Sequence, residues 1–236
     1  MKMKQNWTGR VGIRVLAFAT ILAAILLIAA APGAMAADQE DAQGIVDKSR
    51  VTLSGFIRDK DYGWLRENIK KAKGVLIYPQ VLKAGFVFGG SGGTGVLLTR
   101  DSKTGEWSGP AFYTLGSVSF GLQIGGEAAE VVMLVMSQKG VDSLLTSKFK
   151  LGGDTSIALG PVGAGAKSNI TADFISFAKS KGLYAGLNLD GSYVDVRESL
   201  NKVYYGQEAT PVDILVKNSV RNLEAAPLIE ELKKAK

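Results

Sequence analysis

From Asp38 to Lys60 apolar and polar positions repeat at helical spacing. Ile45, Ser49, Thr52, Leu53, Phe56 and Ile57 fall on one side, and Lys48, Arg50, Arg58 and Asp59 lie around the rest. A second, shorter helix is predicted from Tyr62 to about Lys73. One side of it carries Trp64, Leu65, Asn68, Ile69 and Ala72, and the other Arg66, Glu67, Lys70, Lys71 and Lys73.

At Gly74 the period changes to two. Val75–Tyr78 and Ala84–Phe88 read as short strands separated by Pro79, and Gly95–Arg100 reads as another before the polar turn Asp101–Gly105. Leu115–Gly125 alternates along its length. Val131–Met136 is apolar on both sides and is expected at the centre of a sheet. Val141–Lys148 is predicted to be a short helix. Strands are predicted again at Thr155–Leu159, Phe174–Lys179 and Leu183–Leu189. Asp190-Gly191 then forms a two-residue turn, from which Ser192–Arg197 returns as a strand. Pro211–Val220 and Leu223–Lys234 read as helical. Helices, a long run of antiparallel strands, then helices make an α+β fold: a barrel-like antiparallel sheet with N-terminal and C-terminal helices packed on it.

The residues before Asp38 change the view of the charge. Lys2, Lys4, Arg10 and Arg14 precede the apolar run Val15–Ala31, the helix breaker Pro32-Gly33 and the small-residue site Ala34-Met35-Ala36. This is the plan of a secretory signal peptide cleaved near Ala36, with an uncleaved membrane anchor as the alternative. Residues 1–36 are thus read as a leader and 37–236 as one domain, periplasmic or secreted. The formal charge of +6 includes these four cations and no acid from the leader, so 6 minus 4 leaves +2. That balance gives no case for nucleic acid as a partner. With no Cys and no His among 236 residues, disulfides, an acylated cysteine, thiolate or imidazole catalysis and the usual zinc ligand sets are all excluded.

The 29 glycines include Gly90-x-Gly92-x-x-Gly95, the letter pattern of a dinucleotide loop. Such a loop works by starting a helix at its third glycine, whose N–H groups meet the pyrophosphate. Here Val96-Leu97-Leu98-Thr99-Arg100 follows, a β-prone run. Gly89 to Gly93 are therefore expected to supply turn conformations with positive φ, and Gly95 to admit a close backbone. Glu127 and Glu130 read as a solvated loop at the start of a strand rather than as an acid/base pair or a calcium site. Asp154, Asp173, Asp190 and Asp195 lack calcium-loop spacing, and Ser180-Lys181 lack the three-residue spacing of a Ser-x-x-Lys site. No enzyme and no cofactor are expected.

Several blocks, in order, resemble the SYLF domain. They are Ala72-Lys73-Gly74-Val75-Leu76-Ile77-Tyr78-Pro79, Lys83 through Gly90, Gly93-Thr94-Gly95 and Trp107-Ser108-Gly109-Pro110-Ala111. Gly121 through Gly125, Gly160-Pro161-Val162-Gly163, Ser180 through Gly186, and Asn201 to Gly206 continue the series to near the C-terminus. The resemblance implies a non-enzymatic lipid-binding module. Eukaryotic relatives bind phosphoinositide-containing membranes, some through an amphipathic N-terminal segment, and some bind actin filaments. Bacterial relatives are exported and associated with lipid. With an export leader and no Src-homology-3 segment, this chain is expected to share lipid binding rather than actin binding.

Basic residues beside an apolar face attach to anionic head groups, gaining about 1 kcal/mol each near the surface. The candidate lipid-binding residues are Lys48, Arg50, Arg58 and Lys60 on the first helix, and Lys70, Lys71 and Lys73 before the first strand. Phe56, Ile57 and Trp64 are the apolar partners. The partner expected is an anionic phospholipid or membrane surface. An outer-membrane structural β-protein is the competing class, weakened by strands shorter than the 9–11 residues needed to span.

Overall fold

The computed structural model describes residues 38–85, 88–120, 125–165, 169–181 and 189–235. The chain divides into two units, residues 1–40 and 41–236. Of the first, only residues 38–40 are described, and they are helical. The leader expected at 1–36 lies outside the described residues. The second unit opens with helix α1 (residues 41–58), a 3-10 turn at Lys60–Tyr62 and α2 (Gly63–Ile69). Four long strands follow, β1 (Gly74–Gly85), β2 (Phe88–Arg100), β3 (Trp107–Phe120) and β4 (Gly125–Val135). After these come α3 (Gln138–Leu144), β5 (Lys148–Lys150), β6 (Ile157–Leu159), β7 (Phe174–Lys181) and β8 (Tyr193–Val196). The chain closes with α4 (Glu198–Tyr205), α5 (Pro211–Leu215) and α6 (Ala226–Lys233).

The eight strands form one sheet in the order β5-β8-β3-β2-β1-β4-β7-β6. Every pair is antiparallel except β6 and β7, which run parallel. The α+β class expected from the sequence is found, with this one parallel pair as the departure. Helices pack on both faces. Val75, Ile77, Val96, Leu98, Phe112 and Val132 pack outward against α1, α2 and α6, whereas Leu76, Tyr78, Leu97, Tyr113 and Met133 pack inward against α3, α5 and Phe149.

The sheet curls around the inward face. β5 and β7 are six places apart in strand order, which would separate them by about 29 Å in a flat sheet. Yet the Phe149 and Phe174 rings stack with centroids 5.7 Å apart. Two strands from opposite ends of the sheet thus meet across its concave core, making a half-barrel.

Several expected boundaries shift for one reason, the length of the ladder. Val75–Tyr78 and the residues from Ala84 belong to strands much longer than expected: β1 has 12 residues, and the register slips at Pro79–Gln80 without ending it. Proline's missing donor is absorbed by this bulge. Gly89 to Gly93 are ladder residues of β2 rather than a turn, and none of them has positive φ. Gly95 admits a close backbone as expected: a Cβ there would stand 2.2 Å from the Ile77 carbonyl oxygen. With 11 to 14 residues in β1 to β4, strand length does not separate this fold from a spanning barrel. What differs is the outward face, whose half nearest the Gly74 end of β1 is sealed by α1, α2 and α6. Among the described residues no helix is long and apolar enough to cross a membrane.

Val141–Lys148 shortens to α3, because Lys148 already belongs to β5. The helix predicted at Pro211–Val220 is the five-residue α5, and α4 is an element the sequence pattern did not mark. The strand expected at Leu183–Leu189 falls mostly on residues outside those described.

Candidate functional site

The predicted basic residues do not share one place. Lys70, Lys71 and Lys73 form the link from α2 to β1, laid across the ends of β2 and β4. The Lys73 N–H donates to the Val135 carbonyl at 2.8 Å, and the Arg100 N–H donates to the Lys73 carbonyl at 2.8 Å. The Arg100 guanidinium is fixed from both sides, by the Lys70 carbonyl at 2.5 Å and the Gly105 carbonyl at 3.2 Å. Lys71 Nζ donates to Asn68 Oδ1 at 3.0 Å. Lys70 and Lys71 are exposed and Lys73 half-buried. Among the described residues no carboxylate pairs with any of the three. Arg100, whose signal in the sequence was only its place at a strand end, completes this cationic corner.

Lys48 lies elsewhere. It lines a crevice of about 410 Å³ with Val51, Thr52, Pro79, Gln80 and Glu130. Since Gln80 is six residues beyond Gly74 along β1, the crevice is roughly 20 Å from the cationic corner. Arg58, ten residues along α1 from Lys48, is about 15 Å further along the helix. It acts on α6: burial pushes the Glu231 carboxyl up, but hydrogen bonds from Lys234 and Ser54 and the charges of Lys234 and Arg58 outweigh it and hold the group below its ordinary range. Arg50 is half-buried on α1, and Lys60 is exposed in the 3-10 turn.

The apolar candidates are core residues. Phe56 is fully buried and Ile57 nearly so, because the helical stripe that carries them is the face α1 turns to the sheet. The Phe56 ring meets Tyr62 edge-on at 4.7 Å. Trp64 is half-buried, its ring 5.9 Å from Phe177. In this conformation neither Phe56 nor Ile57 reaches a membrane surface. A cation the sequence reading passed over, Lys179, bridges this region. Its Nζ reaches Asp59 at 2.7 Å, the Gly55 carbonyl at 3.0 Å and the Phe56 and Tyr62 rings at 4.8 Å each. The hydrogen bond from Lys179 leads the effects that hold the Asp59 carboxyl below its ordinary range.

Among the described residues the carboxylate and Ser-Lys candidates do not form a catalytic arrangement. Glu127 and Glu130 lie in β4 rather than in a loop, and three-residue spacing on a strand puts their carboxylates on opposite faces. Ser180 and Lys181 are adjacent residues of β7, without the three-residue spacing of a Ser-x-x-Lys site. Among the described residues no cluster of carboxylates could hold a metal ion. Gly90, Gly92 and Gly95 sit within β2, which ends in the turn at Asp101 without starting a helix.

Comparison with known proteins adds the family. The model of the Ysc84 family, described as "Las17-binding protein actin regulator", matches residues 116–235. The SH3 domain-containing YSC84-like protein 1 of Bos taurus is 32% identical over 169 residues, covering 70% of this chain and 49% of that protein. Its Homo sapiens counterpart aligns with the same values. Protein YSC84 of Saccharomyces cerevisiae is 36% identical over 156 residues, covering 62% of this chain and 32% of that protein. The chain thus spans half or less of the length of these relatives. No solved structure matches.

Proposed function

The chain belongs to the Ysc84 family, the family of the SYLF domain, and from that premise we propose that it is a non-enzymatic module that binds anionic membrane lipid at its surface. The observation that carries the reading is the cationic corner, where Arg100 donates to the backbone carbonyls of Lys70 and Lys73, and where no carboxylate pairs with Lys70, Lys71 or Lys73 among the described residues. Attraction comes from this local cluster, since the charge beyond residue 36 is only +2. The leader-like residues 1–36 support action after export, in the periplasm or outside the cell.

Three lysines at about 1 kcal/mol each supply roughly two decades of affinity. The test is co-sedimentation of the full chain with vesicles of phosphatidylcholine alone or with added phosphatidylglycerol. Binding is expected only with the anionic lipid, and to weaken with salt as the surface potential is screened. Replacing Lys70, Lys71 and Lys73 by Glu is expected to abolish most of it while leaving the circular dichroism unchanged. Undiminished binding by the triple variant refutes the corner as the lipid site.

A second reading follows from the family description, which names Las17 binding and actin regulation. Contact with actin-type filaments through residues 116–235 is tested by co-sedimentation with filamentous actin, and no pelleting refutes it.

A further inference from the structure

Among the described residues, α1, α2 and α6 cover the half of the outward face nearest the Gly74 end of β1 and leave the other half open. The register shows what lies on the other half. One row across the strands reads Lys150, Tyr193, Gly116, Gly92, Leu82. The row on the helix side reads Lys148, Asp195, Thr114, Thr94, and the row on the open side Val118, Gly90, Ala84. Directly paired residues share a face, and Phe112 and Val96 place all three rows on the helix-covered side. Yet Leu82 is 54%, Tyr193 46% and Val118 80% exposed.

The result is a trough with a glycine floor. Leu82 and Tyr193 stand as walls about 14 Å apart, three strand spacings, with only Gly92 and Gly116 between them. Glycines on the concave side are accounted for by close contacts, as at Gly95. Gly116 is not: a Cβ there would meet nothing within 4 Å, and one at Gly92 only the Leu115 carbonyl oxygen at 3.5 Å. A glycine inside a strand with open space over it leaves room for something from outside the sheet.

The floor also limits what can lie on it. β2 is paired on both sides at Gly92, and β3 on both sides at Gly116, so the ladder engages the backbone polar groups there. A peptide laid on this floor would leave some of its own N–H and C=O groups without partners. A hydrocarbon chain has none to satisfy. Among the described residues of these three rows, the polar groups lie in the helix-side row and, on the β5 side, at Tyr193 and Lys150. Lys148 and Lys150 hold Nζ at 4.9 and 5.8 Å from the Tyr193 ring centroid, and the Thr114 hydroxyl is buried without a hydrogen-bond partner. Asp195 is the one acid in these rows, against the two lysines. From the Thr114 row to Val118 is about 13 Å, four strand residues.

We propose that this trough binds a single-chain anionic amphiphile, its tail on the glycine floor between Leu82 and Tyr193 and its head group at Lys148, Lys150 and Thr114. The proposal rests on the lipid reading for the class of ligand, but uses none of the residues of the cationic corner. The ligand is a monomer taken from solution rather than the face of a bilayer, since the floor lies below two walls.

Titration calorimetry of the full chain with dodecyl phosphate, below its micelle-forming concentration, tests this. Saturable one-to-one binding is expected. Gly116→Leu fills the floor from a position where an added Cβ meets nothing within 4 Å, and is expected to weaken binding at least tenfold. Val118→Asp, at an exposed position where the fold tolerates charge, is expected to weaken it as well. Reversing Lys148 and Lys150 to Glu is expected to weaken dodecyl phosphate but not the uncharged dodecyl maltoside. The variant with Lys70, Lys71 and Lys73 changed to Glu is expected to bind dodecyl phosphate like wild type. Wild-type affinity in both Gly116→Leu and Val118→Asp overturns the trough. So does vesicle binding by the wild type without any binding of dodecyl phosphate, which leaves the surface reading intact. Dodecyl phosphate binding without vesicle binding upholds the trough and refutes the surface reading.

Discussion

Replacing Gly95 by Ala puts a methyl group where β1 already is. The new Cβ would stand 2.2 Å from the Ile77 carbonyl oxygen, 2.5 Å from Tyr78 Cδ1 and 2.9 Å from the Ile77 carbonyl carbon. Neither neighbour can yield cheaply. The carbonyl belongs to a strand paired on both sides, and the Tyr78 ring is fully buried in the concave core. Overpacking of this kind costs about 1–3 kcal/mol, and two immobile partners put the cost near the upper end. Alanine recovers about 0.5–1 kcal/mol over glycine in a strand, so the net loss is about 2 kcal/mol. For a domain of this size that lowers the melting temperature by about 4–8 °C. The control is Gly116→Ala, with open space above it, expected to melt at or slightly above the wild type. Thermal melts by circular dichroism decide the matter. If Gly95→Ala melts with the wild type, the close approach of β1 is not what that glycine serves. Saturable ATP or NAD binding would restore the nucleotide reading of the motif.

Two further outcomes test how the half-barrel is held. Phe149→Ala removes one ring of the pair that joins the two ends of the sheet and is expected to cost about 3–5 kcal/mol by chemical denaturation; a loss under about 1 kcal/mol means the ends are held by something else. Asp173 ties α3 to β6, accepting from the Ser137 and Ser156 hydroxyls and the Ser156 N–H, and the Ser137 bond leads the effects that hold its carboxyl below the ordinary range. Its contribution is therefore complete above the unfolded carboxylate range and is lost as the pH falls through the lower folded value. Asp173→Asn is expected to lower stability at pH 7 and to close the gap with wild type in acid; an equal gap at every pH refutes this.

Periodicity alone determined the α+β class, the helical stretch of α1, the turn at Asp101 and the central place of Val131 to Val135, because each is a local choice written in neighbouring side chains. The absence of Cys and His leaves thiolate and imidazole chemistry without a side chain to carry it. It could also be read that a strand, not a helix, follows Gly95, and so that the glycine motif lacks the helix start that binds phosphate.

The tertiary structure decided the rest through pairing between distant segments. Pro79 looked like a strand end, yet the ladders to β2 and β4 carry β1 across it. Gly92 looked like a turn residue, yet pairing with Leu82 and Gly116 draws it flat. An amphipathic stripe cannot say whether its apolar side meets a membrane or a sheet. The sheet claimed Phe56 and Ile57 because burial against Phe177 and Tyr62 removes their surface from water within the same chain. Lys48 and Lys70 are basic residues on consecutive predicted helices, and only the path of α1 across the sheet sets them far apart. The trough depends on register, since a one-residue slip would carry every one of its side chains to the other face.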